Sequence, residues 1–379
     1  MQEKIRPERE TQMSIFISAG DPSGDIAGYH LLRNLRQFNE PTCFFGLGGR
    51  RMASMGQEQL VPGDQLAVLG FWEVAKRFRF FQKLLTRAAE QIEERQPRAI
   101  VLIDYPGFNL RLAEKVRSLN IPIIYYVSPQ IWAWGGKRIG TIKRLVDMML
   151  LILPFETEIY EKAGVRNRFV GHYLLDDIEA GLIKAPYNAG SDLVALLPGS
   201  RPQEVEKMLP VLAATAGILA ESGKWRFAVA AVEGNIDYRA YLADATVPIE
   251  IVRGKTRELI AESRLVLTSS GTATLETGII GRPMVVIYRT GRLTYMIARR
   301  LVTLDKIALI NITAGRKLVP ELIQNDANPK TIAAQARKLL DDAFLSSEIV
   351  RELNRVTDSL GTSGAGERAA AAVREYIKC

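Results

Sequence analysis

Short runs of β-branched and aromatic residues alternate with amphipathic segments of helical period along most of the 379 residues. This alternation restricts the fold more than any other feature of the sequence, because strands that alternate with helices form βα units around a mostly parallel sheet. Several strand segments are apolar throughout, as expected for strands covered by helices on both faces. The predicted strands are Ile15–Ser18, Cys43–Leu47, Ile100–Ile103, Ile121–Tyr126, Met148–Leu153, Arg168–Val170, Leu193–Leu197, Arg226–Ala231, Ile249–Val252, Leu265–Thr268 and Met284–Ile287.

A segment rich in turn-forming residues, Asp176 to Gly190, separates two sets of strands of similar size. We therefore predict an α/β protein of two Rossmann-like, parallel-sheet domains, residues 14–178 and 179–360, that face a cleft. Ligands of open α/β sheets bind outside the carboxyl ends of the strands. The charged residues 1–13 are predicted to be a disordered tail. A Gly-rich break begins residues 361–379, and a helix is predicted from about Glu367 to Ile377.

Composition narrows the functional classes. With 47% apolar and 24% charged residues, the chain is typical of a globular protein with a large core. Apolar runs such as Met148–Leu153 are far shorter than the roughly 20 residues of a bilayer span. The first residues lack the apolar region of a signal peptide, which predicts a cytoplasmic protein. Two cysteines, Cys43 and Cys379, give no disulfide framework.

The net charge is basic, with 50 Lys and Arg against 42 Asp and Glu, a formal charge of +8. A basic balance favours anionic partners, which include nucleotides, phospholipid surfaces and nucleic acids. A mildly basic enzyme without such a partner is the alternative interpretation.

The segment Ser18–Asp25 follows the first predicted strand and opens a helix. Its glycines permit a tight turn, and the helix start offers unpaired N–H groups to an anion. The alternative is a capped helix start without a ligand. The candidate residues here are Ser23, Gly24 and Asp25.

Asp104 ends an apolar strand in the segment Ile103–Asn109. A carboxylate at that position suits a general base that deprotonates an attacking hydroxyl. The alternative is that Asp104 caps the helix that begins near Phe108. Asn109 is a candidate in the same loop.

Two further candidates in the first domain keep a structural alternative. The segment Tyr125–Trp134 carries Ser128 and Trp132 on a strand-end loop, where a tryptophan fills either a pocket or the core. His172 is one of two histidines, and it is either a base or phosphate partner or a structural residue.

In the second domain, two strand-to-helix turns have the composition of a diphosphate site. The first carries an arginine, whose guanidinium matches phosphate oxygens with two hydrogen bonds. The second is rich in small hydroxyl residues at a helix start, and Glu276 within that helix is placed to accept ribose hydroxyls. Ordinary βα turns are the alternative. The candidates are Gly199, Ser200, Arg201, Glu204, Ser270, Gly271, Thr272 and Glu276.

The sequence has no Asp-x-Asp motif, no His/Cys cluster of zinc spacing and no P-loop lysine. We therefore predict no metal and no cofactor, with helix ends and arginine in the place of Mg²⁺.

The segment Leu66–Leu85 is the candidate membrane contact. On a helical wheel, Phe71 belongs to an apolar stripe that is typical of a core face. Trp72 and Phe80 fall off that stripe, among cations. Aromatic residues interleaved with cations suit a helix on an anionic lipid surface. A solvated face is the alternative, and a nucleic-acid surface would need a wider basic area. The proposed contacts are Phe71, Trp72, Lys76, Arg79, Phe80 and Lys83.

The ordered set of these motifs resembles the lipid-A-disaccharide synthase family over about residues 14–340. The strings that carry the resemblance are Ser18–Asp25, Ile103–Asn109, Tyr126–Trp134, Pro154–Glu156, Phe169–His172, Leu197–Arg201, Ser270–Glu276, Asn311, Ala314–Arg316 and Pro320–Gln324. The resemblance implies a GT-B fold and an inverting, metal-independent hexosyltransferase that acts peripherally on the cytoplasmic face of the inner membrane. It implies UDP-2,3-diacylglucosamine as the donor and 2,3-diacylglucosamine 1-phosphate (lipid X) as the acceptor. The acceptor 6-hydroxyl attacks the anomeric carbon, giving a β-1,6-linked disaccharide and UDP.

The resemblance also assigns residues. It maps the essential aspartate of the family onto Asp104, and the UDP contacts onto Arg201, Ser270–Thr272 and Glu276. It places Asn311, Glu321 and Gln324 in a structural or acceptor loop, and it returns the C-terminal helix to an N-terminal domain. A homodimer is compatible with this interpretation, and nucleic acid is not an expected partner.

The chain departs from the family pattern in the first domain. Asp21 stands where glutamate is usual, Gly107 replaces a frequent aspartate, Tyr173 follows His172, and the residues after Asp25 lack the common His-Gly step. These differences bear on the acceptor pocket. The rival hypotheses are another membrane-surface GT-B transferase, an inactive lipid-binding relative and a nucleic-acid binder.

Overall fold

The structure is a computed structural model that describes residues 13–38, 42–62, 78–134, 137–232, 234, 236–289 and 306–377. The chain divides into two compact units. One comprises residues 1–177 and 362–379, and the other comprises residues 178–361.

The first unit is built around a parallel sheet with the strand order β3-β2-β1-β4-β5-β6-β7 in the described residues. All five residues of β4 are buried, as expected for a central strand covered on both faces. The strands are β1 Met13–Ala19, β2 Thr42–Leu47, β3 Glu58–Gln59, β4 Ala99–Ile103, β5 Ile123–Tyr126, β6 Met148–Leu151 and β7 Asn167–Phe169. The helices are α1 Pro22–Leu35, α2 Arg50–Ser54, α3 Phe78–Arg95, α4 Pro106–Val116, α5 Ile131–Trp134, α6 Lys137–Leu145, α7 Glu156–Lys162 and α8 Leu174–Asp177, and a 3-10 turn spans Arg117–Leu119.

The second unit repeats this plan with the strand order β10-β9-β8-β11-β12-β13 in the described residues, again parallel throughout. The strands are β8 Leu193–Leu197, β9 Arg226–Ala231, β10 Ile249–Arg253, β11 Leu265–Ser269, β12 Met284–Tyr288 and β13 Glu321–Ile323. The helices are α9 Pro202–Ala220, α10 Tyr238–Tyr241, α11 Thr256–Glu262, α12 Thr272–Ile280, α13 Leu309–Thr313, α14 Pro329–Asp341 and α15 Ala343–Ser359.

The last helix, α16 Ala365–Ile377, belongs to the first unit and packs against α1. Gly366 permits this contact, because a Cβ at that position would lie 2.8 Å from the carbonyl oxygen of His30. The Asp176 carboxylate fixes the start of α16 by accepting the backbone N–H of Gly364 at 2.5 Å and of Gly366 at 2.8 Å.

The two parallel, Rossmann-like sheets confirm the predicted fold class, and each of the eleven predicted strands is present. The sequence reasoning missed β3 and β13, which have two and three residues and are too short for a periodic pattern. Among the described helices, none combines the length and the apolar composition that crossing a bilayer requires.

Candidate active site

Strand pairing brings the candidate loops of the first unit together. Ala19 of β1 pairs with Ile103 of β4, and Ile103 pairs with Tyr126 of β5. The next strand, β6, is parallel to β5. The loops after these four strands therefore leave one edge of the sheet side by side, at its carboxyl end, where open α/β sheets bind ligands.

Asp104 stands at the turn between β4 and α4 in a left-handed backbone conformation, with φ of 44°, and Tyr105 follows with φ of 48°. Two buried side chains hold this turn. The Asn109 amide donates to the carbonyl oxygens of Ile103 at 3.1 Å and Asp104 at 2.8 Å, and the Tyr125 hydroxyl donates to the Asp104 carbonyl at 2.6 Å. Left-handed conformations are rare outside glycine, and they persist where the surroundings enforce them.

Burial and, to a smaller extent, the negative charge of Asp21 together raise the pKa of the Asp104 carboxyl to about 7, although the backbone N–H of Tyr105 opposes both effects. A carboxyl with a pKa near neutrality is partly ionised at working pH and gains driving force for accepting a proton. The position and the raised pKa of Asp104 are thus compatible with a general base.

The loop between β1 and α1 is held by Asp21, which caps α1 by accepting the Gly24 N–H at 2.8 Å and the Ser23 hydroxyl at 2.6 Å. Gly20 is required for space, because a Cβ there would lie 2.2 Å from the Tyr105 ring. Asp25 is buried, and its carboxylate accepts backbone N–H groups at the start of α2. These contacts favour the helix-capping interpretation of Ser23, Gly24 and Asp25.

Asn109 likewise has a structural role, because it is fully buried and its Oδ1 accepts a hydrogen bond from the Ser18 hydroxyl at 2.7 Å. It therefore ties the end of β1 to the end of β4, and thereby fixes the backbone of Asp104.

The loops after β5 and β6 share a buried polar cluster. The Ser128 hydroxyl lies 2.8 Å from the Tyr160 hydroxyl, and the Trp132 indole N–H donates to Glu156 Oε1 at 3.2 Å. Burial raises the pKa of Glu156 to about 7, although the hydrogen bond from the Trp132 indole lowers it. The sequence alone does not mark Glu156 as a site residue, although it belongs to the string Pro154–Glu156 that carries the family resemblance. A glutamate in the first turn of a helix is ordinary, so no local signal marks it.

His172 is buried and its Nδ1 accepts the backbone N–H of Leu174 at 3.2 Å. Burial lowers the pKa of His172 to about 3, so the imidazole is neutral at physiological pH. These features favour the structural alternative for this residue.

In the second unit, Leu197 of β8 pairs with Thr268 of β11, so the turns that follow the two strands lie next to each other. The first turn carries Arg201, whose side chain is 68% exposed. The second leads through Ser270 and Gly271 into α12. Gly271 has φ of 157° and ψ of −163°, a conformation that is essentially restricted to glycine. The strand order thus brings the two turns side by side.

The two carboxylates among the candidates for the diphosphate site, Glu204 and Glu276, form contacts within the protein. Glu204 Oε2 accepts the backbone N–H groups of Ser200 at 3.0 Å and Arg201 at 3.2 Å, and Gly199 is required because a Cβ there would lie 2.5 Å from Glu204 Oε2. Glu204 thus caps α9. Glu276 pairs with Arg257 at 2.8 Å, and both side chains are mostly buried.

The loop before β13 is organised by its own side chains. The fully buried Asn311 accepts the backbone N–H groups of Leu318 and Val319 and donates to Glu321 Oε1 at 2.8 Å, and Glu321 accepts the Ile307 and Ala308 N–H groups. Gln324 follows β13 with φ of 54°. These contacts favour a structural role for Asn311 and Glu321.

Of the candidate membrane contacts, Phe71, Trp72 and Lys76 lie outside the described residues. Arg79 and Lys83 are exposed on α3, and Phe80 is half-buried and packs against the core of the first unit. Within the described residues, no three His, Cys, Asp or Glu side chains are grouped as metal ligands.

Comparison with known proteins identifies the family. A family profile described as lipid-A-disaccharide synthetase matches residues 15–372. The chain belongs to this family. It is 38% identical over 382 residues to lipid-A-disaccharide synthase of Trichlorobacter lovleyi, an alignment that covers 98% of each chain. It is 40% identical over 365 residues to the synthase of Anaeromyxobacter dehalogenans, covering 94% of this chain and 95% of that one.

Solved structures resemble the chain in fold. UDP-GlcNAc 2-epimerase of Neisseria meningitidis aligns with a TM-score of 0.63 at 10% identity, covering 96% of this chain and 99% of that one. A spinosyn rhamnosyltransferase aligns with a TM-score of 0.61 at 13% identity, covering 96% and 100%. The chain is accordingly a GT-B hexosyltransferase of the lipid-A-disaccharide synthetase family and an enzyme of lipid A biosynthesis.

Proposed function

We propose that Asp104 is the general base of a direct displacement between two diacylated sugars. The acceptor is 2,3-diacylglucosamine 1-phosphate (lipid X), and the donor is UDP-2,3-diacylglucosamine. The observation that carries the proposal is the Asp104 carboxyl at the end of β4, fixed by its left-handed backbone and with its pKa raised to about 7.

In the displacement, an oxygen lone pair of the acceptor 6-hydroxyl forms the bond to the donor anomeric carbon. The bond from that carbon to the diphosphate oxygen breaks, and UDP leaves with its electron pair. The hydroxyl proton passes to Asp104. Attack from the face opposite UDP inverts the anomeric centre and gives the β-1,6 linkage.

The donor site proposed for UDP is the edge formed by the turns after β8 and β11. Arg201 has an exposed guanidinium for the diphosphate, and the backbone at the start of α12 presents N–H groups to an anion. These groups stabilise the charge that develops on the leaving diphosphate, the part that a metal ion supplies in other transferases. Glu276 is proposed to accept the ribose hydroxyls, oriented by Arg257.

Both substrates carry two acyl chains, so the enzyme must meet them at a lipid surface. We propose peripheral association with the anionic cytoplasmic face of the inner membrane through the Leu66–Leu85 segment, to which Arg79 and Lys83 contribute exposed charge. A homodimer is compatible with this arrangement, and light scattering measures the assembly directly.

The test is UDP release by the purified protein from the two diacyl sugars in mixed micelles. Asp104→Asn should lower kcat about 100- to 10,000-fold, the usual contribution of general base catalysis, with little change in either KM. Asp192→Asn, an exposed carboxylate paired with Arg226, is the matched control and should retain activity. Undiminished release from Asp104→Asn would refute the base assignment.

A further inference from the structure

Glu156 is the first residue of α7, just after the carboxyl end of β6, and its side chain is 1% exposed. Its Oε1 accepts the Trp132 indole N–H. Its Oε2 is buried and has no hydrogen-bond partner among the described residues. Burying a carboxyl without a full set of hydrogen bonds costs free energy of desolvation. An apolar residue would avoid this cost, which indicates a functional reason for the acid.

The loop that Glu156 contacts is itself strained. Val127, directly after β5, has φ of 63°, which is an outlier for a β-branched residue and costs about 1–3 kcal/mol. Contacts from α7 and the loop before it hold the Ser128–Trp132 segment in place. The Ser128 hydroxyl meets Tyr160, and the Trp132 ring meets the edge of Phe155 at 5.7 Å between centroids.

We infer that Glu156 is a positioning residue of the acceptor site, whose carboxyl fixes the Trp132 indole and the strained loop after β5 next to Asp104. The inference rests on the proposed function of this sheet edge in acceptor binding. It concerns a residue that touches no substrate itself and acts through Trp132.

Burial favours the neutral form of Glu156 by raising its pKa to about 7. Besides burial, the charge of Asp104 raises the pKa of Glu156. An ionised Asp104 therefore adds a smaller effect to that of burial, in the same direction, because like charges disfavour ionisation of a neighbouring carboxyl. Titratable groups near this cluster include Tyr125 on β5 and Tyr160 on α7, and burial raises the pKa of both phenols, whereas the charge of Arg138 on α6 opposes the effect at Tyr125.

Loss of the proton would leave Glu156 as a buried anion repelled by Asp104. The loop would then have to open to hydrate that charge, and Trp132 would lose its position. Glutamine reproduces the neutral acid, since its amide oxygen accepts the indole N–H and it does not titrate. Leucine fills the volume but leaves the indole N–H without an acceptor.

The experiment compares Glu156→Gln, Glu156→Leu, Trp132→Phe and the double variant Glu156→Leu/Trp132→Phe by UDP release, with donor and acceptor varied separately. Glu158→Gln, on the exposed face of the same helix, is the control. Glu156→Leu should raise the acceptor KM about 10- to 100-fold, the effect of one unsatisfied buried donor, and leave the donor KM unchanged. The double variant should be no worse than the poorer single variant, because both changes break one contact.

The pH profile separates positioning from mere structural support. The wild-type acceptor KM should rise as the pH passes about 7, whereas Glu156→Gln should keep a flat acceptor KM and a near-wild-type value at neutral pH. Three results would overturn the inference. They are equal changes in the donor and acceptor KM of Glu156→Leu, additive effects of Glu156→Leu and Trp132→Phe in the double variant, and an acceptor KM of Glu156→Gln as high as that of Glu156→Leu. If Glu156→Leu does not fold, the Gln profile alone decides. Failure of the proposed base would instead appear as retained kcat in Asp104→Asn, independently of these KM values.

Discussion

At the scale of the residue, the backbone conformation of Asp104, the proposed general base, costs stability. Asp104 and Tyr105 both adopt left-handed backbone, at about 1–3 kcal/mol each. The buried amide of Asn109 and the hydroxyl of Tyr125 offset this cost through hydrogen bonds to the turn. Strain of this kind, maintained by buried partners at the end of a strand, is typical of functional sites.

The raised pKa of Asp104 predicts a trade-off between stability and activity. The carboxyl has its ordinary pKa of 3.8 in the unfolded chain and about 7 in the native state, so the folded protein keeps the proton to a higher pH. Its stabilising contribution is present below about pH 4 and is lost as the pH rises through 7. Asp104→Asn, which does not titrate, should therefore be more stable than wild type at pH 8, by at most about 4 kcal/mol, and this gain should disappear near pH 4.

Urea unfolding followed by circular dichroism at pH 4.5 and pH 8 measures this difference. Asp192→Asn serves as the control again, because its pKa is lowered by Arg226 and its surface ion pair is worth little. An Asp104→Asn protein that is less stable than wild type at pH 8 would contradict the expected sign.

The sequence predicted the place of Asp104 because an apolar strand ends there, and that boundary is a local signal. It gave no indication of the left-handed turn or of Glu156. Both depend on tertiary burial, since Glu156 becomes unusual only when the pairing of β5 with β6 brings Trp132 beside it. The capping contacts of Asp25 and Glu204 were equally ambiguous, because one carboxylate suits a helix start and a ligand site alike.

At the scale of the element, the docking of α16 depends on one carboxylate. Asp176 accepts the N–H groups of Gly364, Ala365 and Gly366 at 2.5, 3.2 and 2.8 Å, at the positive end of the helix dipole. Asp176→Ala should therefore free the start of α16 at a cost of about 1–2 kcal/mol, as for the loss of an N-cap.

Hydrogen exchange of the α16 amides tests this expectation, with faster exchange in Asp176→Ala than in wild type. Glu367→Gln, an exposed change in the first turn of the same helix, should leave the exchange nearly unaltered. Equal exchange in wild type and Asp176→Ala would show that packing against α1 alone holds the helix.

The long strands could be predicted and the short ones could not, for a reason visible in β13. Its three residues, Glu321–Ile323, form a strand because β12 offers an unpaired edge, and not because of their own pattern. The eleven predicted strands instead have four or more consecutive residues of strand composition, or turn-forming residues next to them. These local signals are enough to predict a strand without tertiary information.

At the scale of the whole molecule, each unit places its candidate chemistry at the same topological position. The order of connection reverses between β1 and β4 in the first sheet and between β8 and β11 in the second. Asp104 follows β4, and the turns with Arg201 and Ser270 follow β8 and β11. Parallel α/β sheets open a crevice where the connections depart in opposite directions. The repeated topology thus explains why two sets of candidates with unrelated sequence motifs occupy the same position in their sheets.

The basic charge of the whole molecule favours binding to an anionic lipid surface. Exposed cations near an anionic bilayer contribute about 1 kcal/mol each, and this attraction is screened by salt. Replacing both Arg79 and Lys83 by Gln should therefore weaken binding to phosphatidylglycerol-containing vesicles roughly 10- to 30-fold at low ionic strength. Lys224→Gln/Lys338→Gln removes the same charge from exposed positions of the second unit and should change binding much less. Vesicle sedimentation at 0.05 and 0.5 M salt measures both effects. If the two double variants lose affinity equally, net charge rather than the α3 surface attracts the enzyme to lipid.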